Sequence, residues 1–295
     1  MRIQWVPAGT EAHPSSRIRV YRVNAALQGR AGIESVIGSE ITRGADVCVL
    51  QKVVDAGIIS RAREMSRVVL VDLDDPTKIK KYADSLKVAD AVSTNNVGVV
   101  RGIERDFGLT AHIVPDCVDY VSSPMPLVNT SQKVAWFGSP AMLAGALPLL
   151  RKAREAGFDV TTIGKQFCTS EFRRVDWSLE TFPSELRKCG TSLLSHRGYE
   201  SRRKSPHRIV ASIMIGVPAI MVGSQSAEFL EDASGARVSA TDEGDAIGLL
   251  RRLQIPSERE RQIGLCQKFA VDNLVPGVIA GRLLRVFEWV LAERG

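Results

Sequence analysis

The sequence predicts an α/β protein in which two doubly wound parallel sheets follow one another along the chain. Short apolar segments alternate with helical segments before residue 120, and the same alternation restarts at residue 133. The apolar segments are β-rich and have no polar face, as in strands that are buried on both faces of a parallel sheet. Residues 120–132 show no periodicity and contain Pro124 and Pro126, which is typical of a linker. Because such alternation builds βαβ units, we expect two domains.

Each half supplies strands and helices for one such domain. In the first half we expect strands at 2–6, 47–50, 68–71, 91–93 and 112–114, and helices at 16–28, 54–65, 78–88 and 97–107. In the second half we expect strands at 133–137, 160–163, 191–194 and 219–222, and helices at 141–156, 184–188, 206–215 and 245–253. A helical segment at 258–294 follows, with a break near Pro276 and Gly277.

These elements predict two domains and the edges at which ligands bind. We expect an N-terminal domain over 1–120 and a C-terminal domain over 121–274, with the terminal helix at about 275–295 packing back on the first domain. In doubly wound sheets, ligands bind at the carboxyl ends of the strands. The segments that directly follow strands are therefore the places to look for functional residues.

Composition excludes several classes of protein. Hydrophobic residues make up 44% of the 295 residues and charged residues 24%, which is ordinary for a globular protein. No apolar run reaches the roughly 20 residues that span a bilayer, and no signal-peptide pattern opens the chain, so we expect a cytoplasmic protein. The five cysteines are scattered and no histidines have metal-ligand spacing, so we expect neither a disulfide framework nor a metal.

The net charge of +6 favours anionic partners: nucleotides, nucleic acid or an anionic membrane surface. Neither a G-x-G-x-x-G fingerprint nor a G-x-x-x-x-G-K-[ST] loop occurs, which disfavours the usual dinucleotide and P-loop sites.

The basic segment at 202–208 is the strongest local signal. Ser205 is a good N-cap and Pro206 a good first residue for the apolar helix that follows. Arg202, Arg203, Lys204 and Arg208 surround this helix start, whose partial positive charge suits a diphosphate. The alternative is a solvated charge run at the start of an ordinary helix.

This segment resembles the donor-site segment of retaining glycosyltransferase family four. The resemblance rests on Lys-Ser-Pro-His-Arg at 204–208, the apolar helix, and Gly-Val-Pro-Ala-Ile at 216–220. Four further segments resemble the family in the same order: Pro-Ser-Ser-Arg-Ile-Arg-Val at 14–20, Val-Leu-Val-Asp-Leu-Asp-Asp at 69–75, Ile-Val-Pro-Asp-Cys-Val-Asp at 113–119 and Val-Ala-Trp-Phe-Gly-Ser at 134–139. The resemblance implies a GT-B fold, that is, two Rossmann-like domains facing across a cleft.

The chain departs from the family pattern at two places. The family has two glutamates eight residues apart near the donor sugar, and here Ala211 and Arg203 stand in their places. Residues 140–143 stand where the family has a lysine in the glycine loop. Either donor recognition is rearranged, with Lys204 and Arg208 holding the diphosphate, or catalysis is lost.

The resemblance assigns residues to roles. For donor binding it implies Gly138, Ser139, Lys165, Trp177, Glu200, Lys204, Ser205, Pro206, His207 and Arg208, with Trp177 stacking on the base or else packing in the core. For catalysis we expect Asp74, Asp75, Lys204 and Arg208, although Asp75 could instead cap the next helix. For acceptor binding we expect Ser15, Ser16, Arg17 and Arg19, against the alternative of a serine cap with surface arginines.

The predicted function is therefore transfer of a hexose from a nucleoside-diphosphate sugar, such as a UDP- or GDP-sugar. The resemblance implies retention of configuration and no metal or other cofactor. The acceptor stays open between a glycan, a lipid-linked acceptor and DNA, and peripheral association with an anionic membrane fits the charge. The alternative is a catalytically inactive GT-B protein that binds nucleotide sugars or regulates a partner.

Overall fold

A computed structural model describes residues 1–74, 79–95, 97–165, 171–196 and 205–294 of the chain. The chain divides into two compact units. The first comprises Met1–Cys117 together with Asn273–Gly295, and the second comprises Val118–Asp272.

The strands and helices alternate along most of the chain. The strands are β1 (Arg2–Val6), β2 (Glu34–Ile37), β3 (Ala45–Gln51), β4 (Ser66–Asp72), β5 (Ala91–Thr94), β6 (Ala111–Ile113), β7 (Lys133–Phe137), β8 (Asp159–Gly164), β9 (Arg173–Asp176), β10 (Thr191–Ser195), β11 (Ala219–Val222) and β12 (Ser239–Ala240). The helices are α1 (Pro14–Ser16), α2 (Arg22–Leu27), α3 (Ala56–Met65), α4 (Ala83–Val88), α5 (Val97–Phe107), α6 (Pro140–Glu155), α7 (Phe182–Leu186), α8 (His207–Met214), α9 (Gln225–Ser234), α10 (Glu243–Arg252), α11 (Pro256–Leu274) and α12 (Pro276–Arg294). A π-helical segment (Arg17–Tyr21) joins α1 to α2, and a 3₁₀ segment (Ile79–Tyr82) precedes α4.

The first unit contains a parallel sheet in the order β2-β1-β3-β4-β5-β6. Its first five strands have the order 2-1-3-4-5 of flavodoxin-like sheets, so the winding direction reverses between β1 and β3. The central strands are buried on both faces, which explains their continuous apolar runs. Helix α12 packs against α2, β3 and β4, and Phe287 meets Trp5 edge to face at 6.1 Å.

The second unit contains a parallel sheet in the order β12-β11-β10-β7-β8-β9. Numbered along the chain from β7, this is the order 3-2-1-4-5-6 of dinucleotide-binding Rossmann sheets, read from the other edge. The winding direction reverses between β7 and β10. The prediction of two Rossmann-like, doubly wound domains is confirmed.

The segment predicted as a linker is tied to the second unit by backbone hydrogen bonds. Met125 N donates to Met214 O at 2.8 Å, and Val128 N donates to Gly216 O at 2.9 Å. Gly216 has φ +85°, and a Cβ there would lie 2.1 Å from the Pro126 carbonyl oxygen. The segment contains no regular strand or helix, yet it packs as part of the second unit. Its backbone can approach position 216 this closely because glycine has no side chain.

Sequence reasoning missed β2, β9, β12 and α9. The three strands lie at sheet edges. Strands β2 and β9 carry charged residues instead of continuous apolar runs, and β12 is only two residues long. Helix α9 carries ordinary signals, since the Ser224 hydroxyl caps its start and Gly235 ends it with φ +72°.

Candidate functional site

The carboxyl ends of β7 and β10 mark the reversal point of the sheet in the second unit. In open α/β sheets, ligands bind in the crevice outside the carboxyl ends of the strands at such a point. Gly138 and Ser139 follow β7, and His196 follows β10. Gly138 and Ser139, two predicted donor residues, therefore lie at this reversal point. The end of β10, which precedes the basic segment, lies there too.

Arg208 is buried at this reversal point. Its Nη1 donates to the carbonyl oxygen of Phe137 at 2.8 Å, and its Nη2 donates to that of Ser195 at 2.9 Å. The residue is only 5% exposed. Its guanidinium therefore joins the last residues of β7 and β10, although the residue itself lies in the first turn of α8.

The charge of Arg208 is not neutralised by the described part of the chain. Among the described residues no carboxylate pairs with Arg208, and its Nε has no hydrogen-bond partner. Burial lowers the pKa of Arg208 to about 10, so the group is still a cation at neutral pH. Because burying an unpaired charge is costly, this arrangement favours an anionic ligand at the guanidinium.

Gly138 makes room for that guanidinium. A Cβ at this position would lie 3.1 Å from Arg208 Nη1 and 3.1 Å from the indole ring of Trp136. The absence of a side chain lets the loop after β7 approach Arg208 closely. Ser139 is exposed at the N-cap position of α6, and its hydroxyl forms no capping hydrogen bond with that helix.

The start of α8 adds a second favourable feature for an anion. The helix begins at His207, directly after Pro206, within one residue of the predicted start. The buried Ser205 hydroxyl accepts a hydrogen bond from His207 N at 3.2 Å. Because Arg208 lies in the first turn of α8, its side chain is close to the positive end of this helix.

A histidine and a serine at the neighbouring strand ends were not part of the predicted site. His196 is buried after β10, and its Nδ1 lies 3.1 Å from the Ser224 hydroxyl oxygen after β11. Ser224 also accepts a hydrogen bond from Ala227 N and so caps α9. The Gly-Ser pair between an apolar strand and a helix is the sequence signal that would have identified this cap.

Lys165 and Trp177, two predicted donor residues, lie close together. Lys165 Nζ is 4.9 Å from the centre of the Trp177 ring, and Trp177 N donates to Gly164 O at 3.2 Å. Lys165 is exposed and Trp177 is half-buried. Stacking on a base stays a prediction.

In the first unit, Ser15 and Ser16 lie at the reversal point between β1 and β3. The buried Ser16 hydroxyl donates to Gln51 Oε1 at 2.9 Å and accepts from Gly9 N at 3.1 Å. Gln51 Nε2 donates in turn to Ser15 O at 3.0 Å. Gln51, which sequence reasoning did not select, therefore fixes the loop that carries both serines.

Arg17 and Arg19 are buried, not exposed at the surface. Arg17 Nη1 donates to the Glu11 carbonyl oxygen at 3.2 Å. Arg19 binds both carboxylate oxygens of Asp72, at 2.6 and 2.8 Å, and one of Asp116 at 2.7 Å. Burial alone would lower the pKa of Arg19, but these carboxylates raise it well above the usual value. Both arginines have internal partners, and their role toward an acceptor stays a prediction.

Asp74 follows β4 and forms an ion pair with Lys52, which follows β3. Burial raises the pKa of Asp74, while Lys52 and Arg19 act in the opposite direction. Three other predicted residues, Asp75, Glu200 and Lys204, lie outside the described residues. Within the described ranges, no group of three His, Cys, Asp or Glu side chains is placed to hold a metal ion.

The sequence matches no protein-family model and no curated protein. Solved structures match it over nearly its whole length. The Anabaena protein Alr3699/HepE in complex with UDP and glucose aligns over 98% of this chain and 99% of its own, with a TM-score of 0.70 and 9% identity. Sucrose-phosphate synthase from Thermosynechococcus elongatus aligns over 99% of each chain, with a TM-score of 0.70 and 9% identity. The T4 phage β-glucosyltransferase with its UDP-glucose substrate aligns over 99% of each chain, with a TM-score of 0.61 and 10% identity.

At such low identity these likenesses establish the fold. The chain shares with these proteins a fold that contains two Rossmann-like domains. None of the helices in the described ranges combines the length and apolar character needed to traverse a bilayer.

Proposed function

We propose that this protein is a glycosyltransferase that uses a nucleoside-diphosphate sugar, with UDP-glucose as the first donor to test. The observation that carries the proposal is the buried Arg208 guanidinium at the reversal point of the second sheet, which has no carboxylate partner among the described residues. A diphosphate would supply the missing counter-charge, and the start of α8 would add to its stabilisation. The structural likeness to proteins solved with UDP and UDP-glucose supports UDP as the nucleotide.

Arg208 would act on the leaving group. In transfer, the acceptor oxygen forms a bond to the anomeric carbon and the bond between that carbon and the diphosphate oxygen breaks. Negative charge develops on the diphosphate oxygen, which takes up the proton that the acceptor hydroxyl loses. A fixed guanidinium stabilises this charge without reorganising, which replaces the acid that a hydrolase uses. Lys204, predicted to share the task, lies outside the described residues.

The acceptor is assigned to the first unit as part of the same proposal. Ser15, with Lys52 and Asp74, offers hydroxyl, ammonium and carboxylate groups at the reversal point of that sheet. Such groups suit the hydroxyls of a sugar or polyol acceptor. Membership of family four, retention of configuration, independence of metals and a cytoplasmic location are further parts of the proposal that rest on sequence resemblance and composition.

A thermal-shift panel of UDP, GDP, ADP and UDP-glucose tests donor binding. A ligand at 100 times its Kd stabilises a protein by about 2.7 kcal/mol, so the bound nucleotide should raise Tm measurably. Arg208→Met should abolish the shift. Arg151→Met is the matched control, because Arg151 is an exposed arginine of the same unit paired with Glu171 at 2.9 Å. No shift with any nucleotide would refute the proposal.

An inactive nucleotide-sugar-binding protein is the second candidate. Ala211, which stands where the family has a donor-site glutamate, is buried in α8 and offers no carboxylate. Release of UDP from UDP-glucose, with maltose, duplex DNA and water as acceptors, separates the two. A Tm shift without any release of UDP would favour the inactive protein.

A further inference from the structure

Lys52 has an unusual backbone conformation at the reversal point of the first sheet. Its φ is +52°, in the left-handed region, and it directly follows β3. Among the described residues, Tyr120 is the other one besides glycines with a positive φ. This conformation is unfavourable for a residue with a side chain, and residues held in it cluster at functional sites.

The conformation places the Lys52 side chain in a specific set of contacts. Its backbone N–H donates to Asp72 O at 3.2 Å, which fixes the residue against β4. Its ammonium group forms the ion pair with Asp74 and lies 3.3 Å from the Ser15 hydroxyl oxygen. The Lys52 side chain is 16% exposed and that of Asp74 14%, so this is a mostly buried pair that still reaches solvent. Glycine would adopt this backbone conformation at a lower cost. The presence of lysine here is therefore explained by the contacts of its side chain with Asp74 and Ser15.

The charges around Asp74 show why Lys52 matters most to it. Arg19 and Asp116 face Asp74, but Arg19 is already engaged with Asp72 and Asp116. His13, on the loop after β1, faces both Lys52 and Asp74, and burial and Lys52 lower its pKa, so the imidazole is mainly neutral. Lys52 is therefore the cation that balances the Asp74 carboxylate.

We propose that Lys52 is a positioning residue of the acceptor site, which holds the Asp74 carboxylate through their ion pair where it accepts a hydrogen bond from an acceptor hydroxyl group. The inference rests on the proposed transferase function. The proposed role is orientation. The Asp74 carboxylate fixes the direction of the acceptor hydroxyl group, so that a lone pair of its oxygen faces the anomeric carbon of the donor sugar. Asp74 touches the acceptor, and Lys52 acts through Asp74.

The test compares three variants of the full chain in UDP release from UDP-glucose, with maltose as the added acceptor and water present throughout. Lys52→Met should lower kcat/KM for the acceptor about 10- to 100-fold and leave KM for UDP-glucose unchanged. Lys52→Arg keeps a cation and should restore most of the activity. Lys52→Gly should behave like Lys52→Met in activity but unfold at a higher temperature than Lys52→Met, because both variants leave Asp74 without its cation and only glycine relieves the backbone strain.

The pH profile gives a readout that a merely structural role would not move. Removing a neighbouring cation raises the pKa of a carboxyl group, so Lys52→Met should shift the acid limb of kcat/KM to higher pH by about one unit. Lys52→Arg should leave the limb in place. Lys87→Met is the matched control, because Lys87 pairs with Asp84 at 2.8 Å on the exposed surface of the same unit.

Each outcome decides the matter. If the wild-type chain releases no UDP with maltose, duplex DNA or water, the transferase function fails and this inference fails with it. If the wild type is active and Lys52→Met keeps its rate and its acid limb, this inference alone is overturned. If Lys52→Met does not fold, the comparison of Lys52→Gly with Lys52→Arg replaces it. Equal kcat/KM for the acceptor in these two variants would contradict the role of the cation.

Discussion

Each unit buries an arginine at the carboxyl ends of its parallel strands, but the two arginines have different partners. Arg19, in the first unit, binds Asp72 through two hydrogen bonds and Asp116 through a third. Arg208, in the second unit, binds two backbone carbonyls, and in the described part of the chain no carboxylate pairs with it. Ser93 and Asn95 donate further hydrogen bonds to the carboxylates around Arg19, so that cluster is completed within the protein.

The contrast separates an arginine with carboxylate partners inside the protein from one that has none among the described residues. The carboxylates raise the pKa of Arg19, whereas burial without such partners lowers that of Arg208 to about 10. A protein retains an unpaired buried cation at a cost in stability, and an anionic ligand accounts for that cost. Arg259 of the second unit also has no carboxylate partner among the described residues, so what supports the proposed donor role of Arg208 is its burial at the reversal point of the sheet. The role of Arg19 toward an acceptor stays a prediction.

The largest expected effect is on stability. Arg19→Met should lower the free energy of unfolding by about 3–5 kcal/mol, because it leaves Asp72 and Asp116 buried without their counter-ion. Arg208→Met leaves no buried carboxylate behind in the described part of the chain, so the change should stay within about 1–2 kcal/mol. Urea denaturation followed by circular dichroism measures both.

Adding Asp72→Asn and Asp116→Asn to Arg19→Met checks the physical reason. Removing the carboxylate charges should recover much of the lost stability, because the cost comes from uncompensated charge. Equal destabilisation by Arg19→Met and Arg208→Met would break the comparison, since both arginines would then be ordinary structural residues.

The buried strands were readable from sequence, because parallel strands that are covered on both faces need continuous apolar runs. The position of Arg208 in the first turn of a helix could also be predicted, since Ser205 and Pro206 mark the start of that helix. The burial of Arg17 and Arg19 could not be predicted. Both arginines lie in a π-helical segment in which apolar neighbours are buried as well, so no exposed polar face distinguishes a buried arginine from a surface one. Arg19 and Asp72 are 53 residues apart, so nothing local indicates their pairing.

Lys52 was missed for a related reason. A left-handed backbone is signalled in sequence by glycine or asparagine, and lysine carries no such signal. Its partner Asp74 was selected because it follows an apolar strand. The ion pair depends on β3 and β4 lying side by side, which only the sheet order establishes.

The second expected effect is on turnover. Arg208→Met should lower kcat about 10²- to 10³-fold, as the loss of one fixed group that stabilises developing charge does in other enzymes. Arg208→Lys should recover part of this, because lysine supplies the charge without the fork that reaches both carbonyl groups. Release of UDP from UDP-glucose measures the rates.

A stable, folded Arg208→Met variant with wild-type turnover would contradict the assignment of the diphosphate to this guanidinium. Arg259→Met sharpens the comparison, because Arg259 is another buried arginine of the second unit that donates to backbone carbonyls. It binds Leu253 O at 3.1 Å and Val128 O at 3.0 Å, away from the ends of β7 and β10. We expect it to affect stability and leave kcat unchanged.

The smallest effect concerns the space around Arg208. Gly138→Ala would place a Cβ 3.1 Å from Arg208 Nη1, so the guanidinium must shift by a few tenths of an ångström. We expect UDP affinity to fall by about 1–2 kcal/mol, within the range for overpacked sites. Gly248→Ala is the control, because nothing lies within 4 Å of its added Cβ in α10, and alanine there should stabilise the helix by about 0.5–1 kcal/mol. If isothermal titration finds that both variants bind UDP like the wild type, the position of Arg208 does not limit nucleotide binding, and its lack of a carboxylate partner would need another explanation.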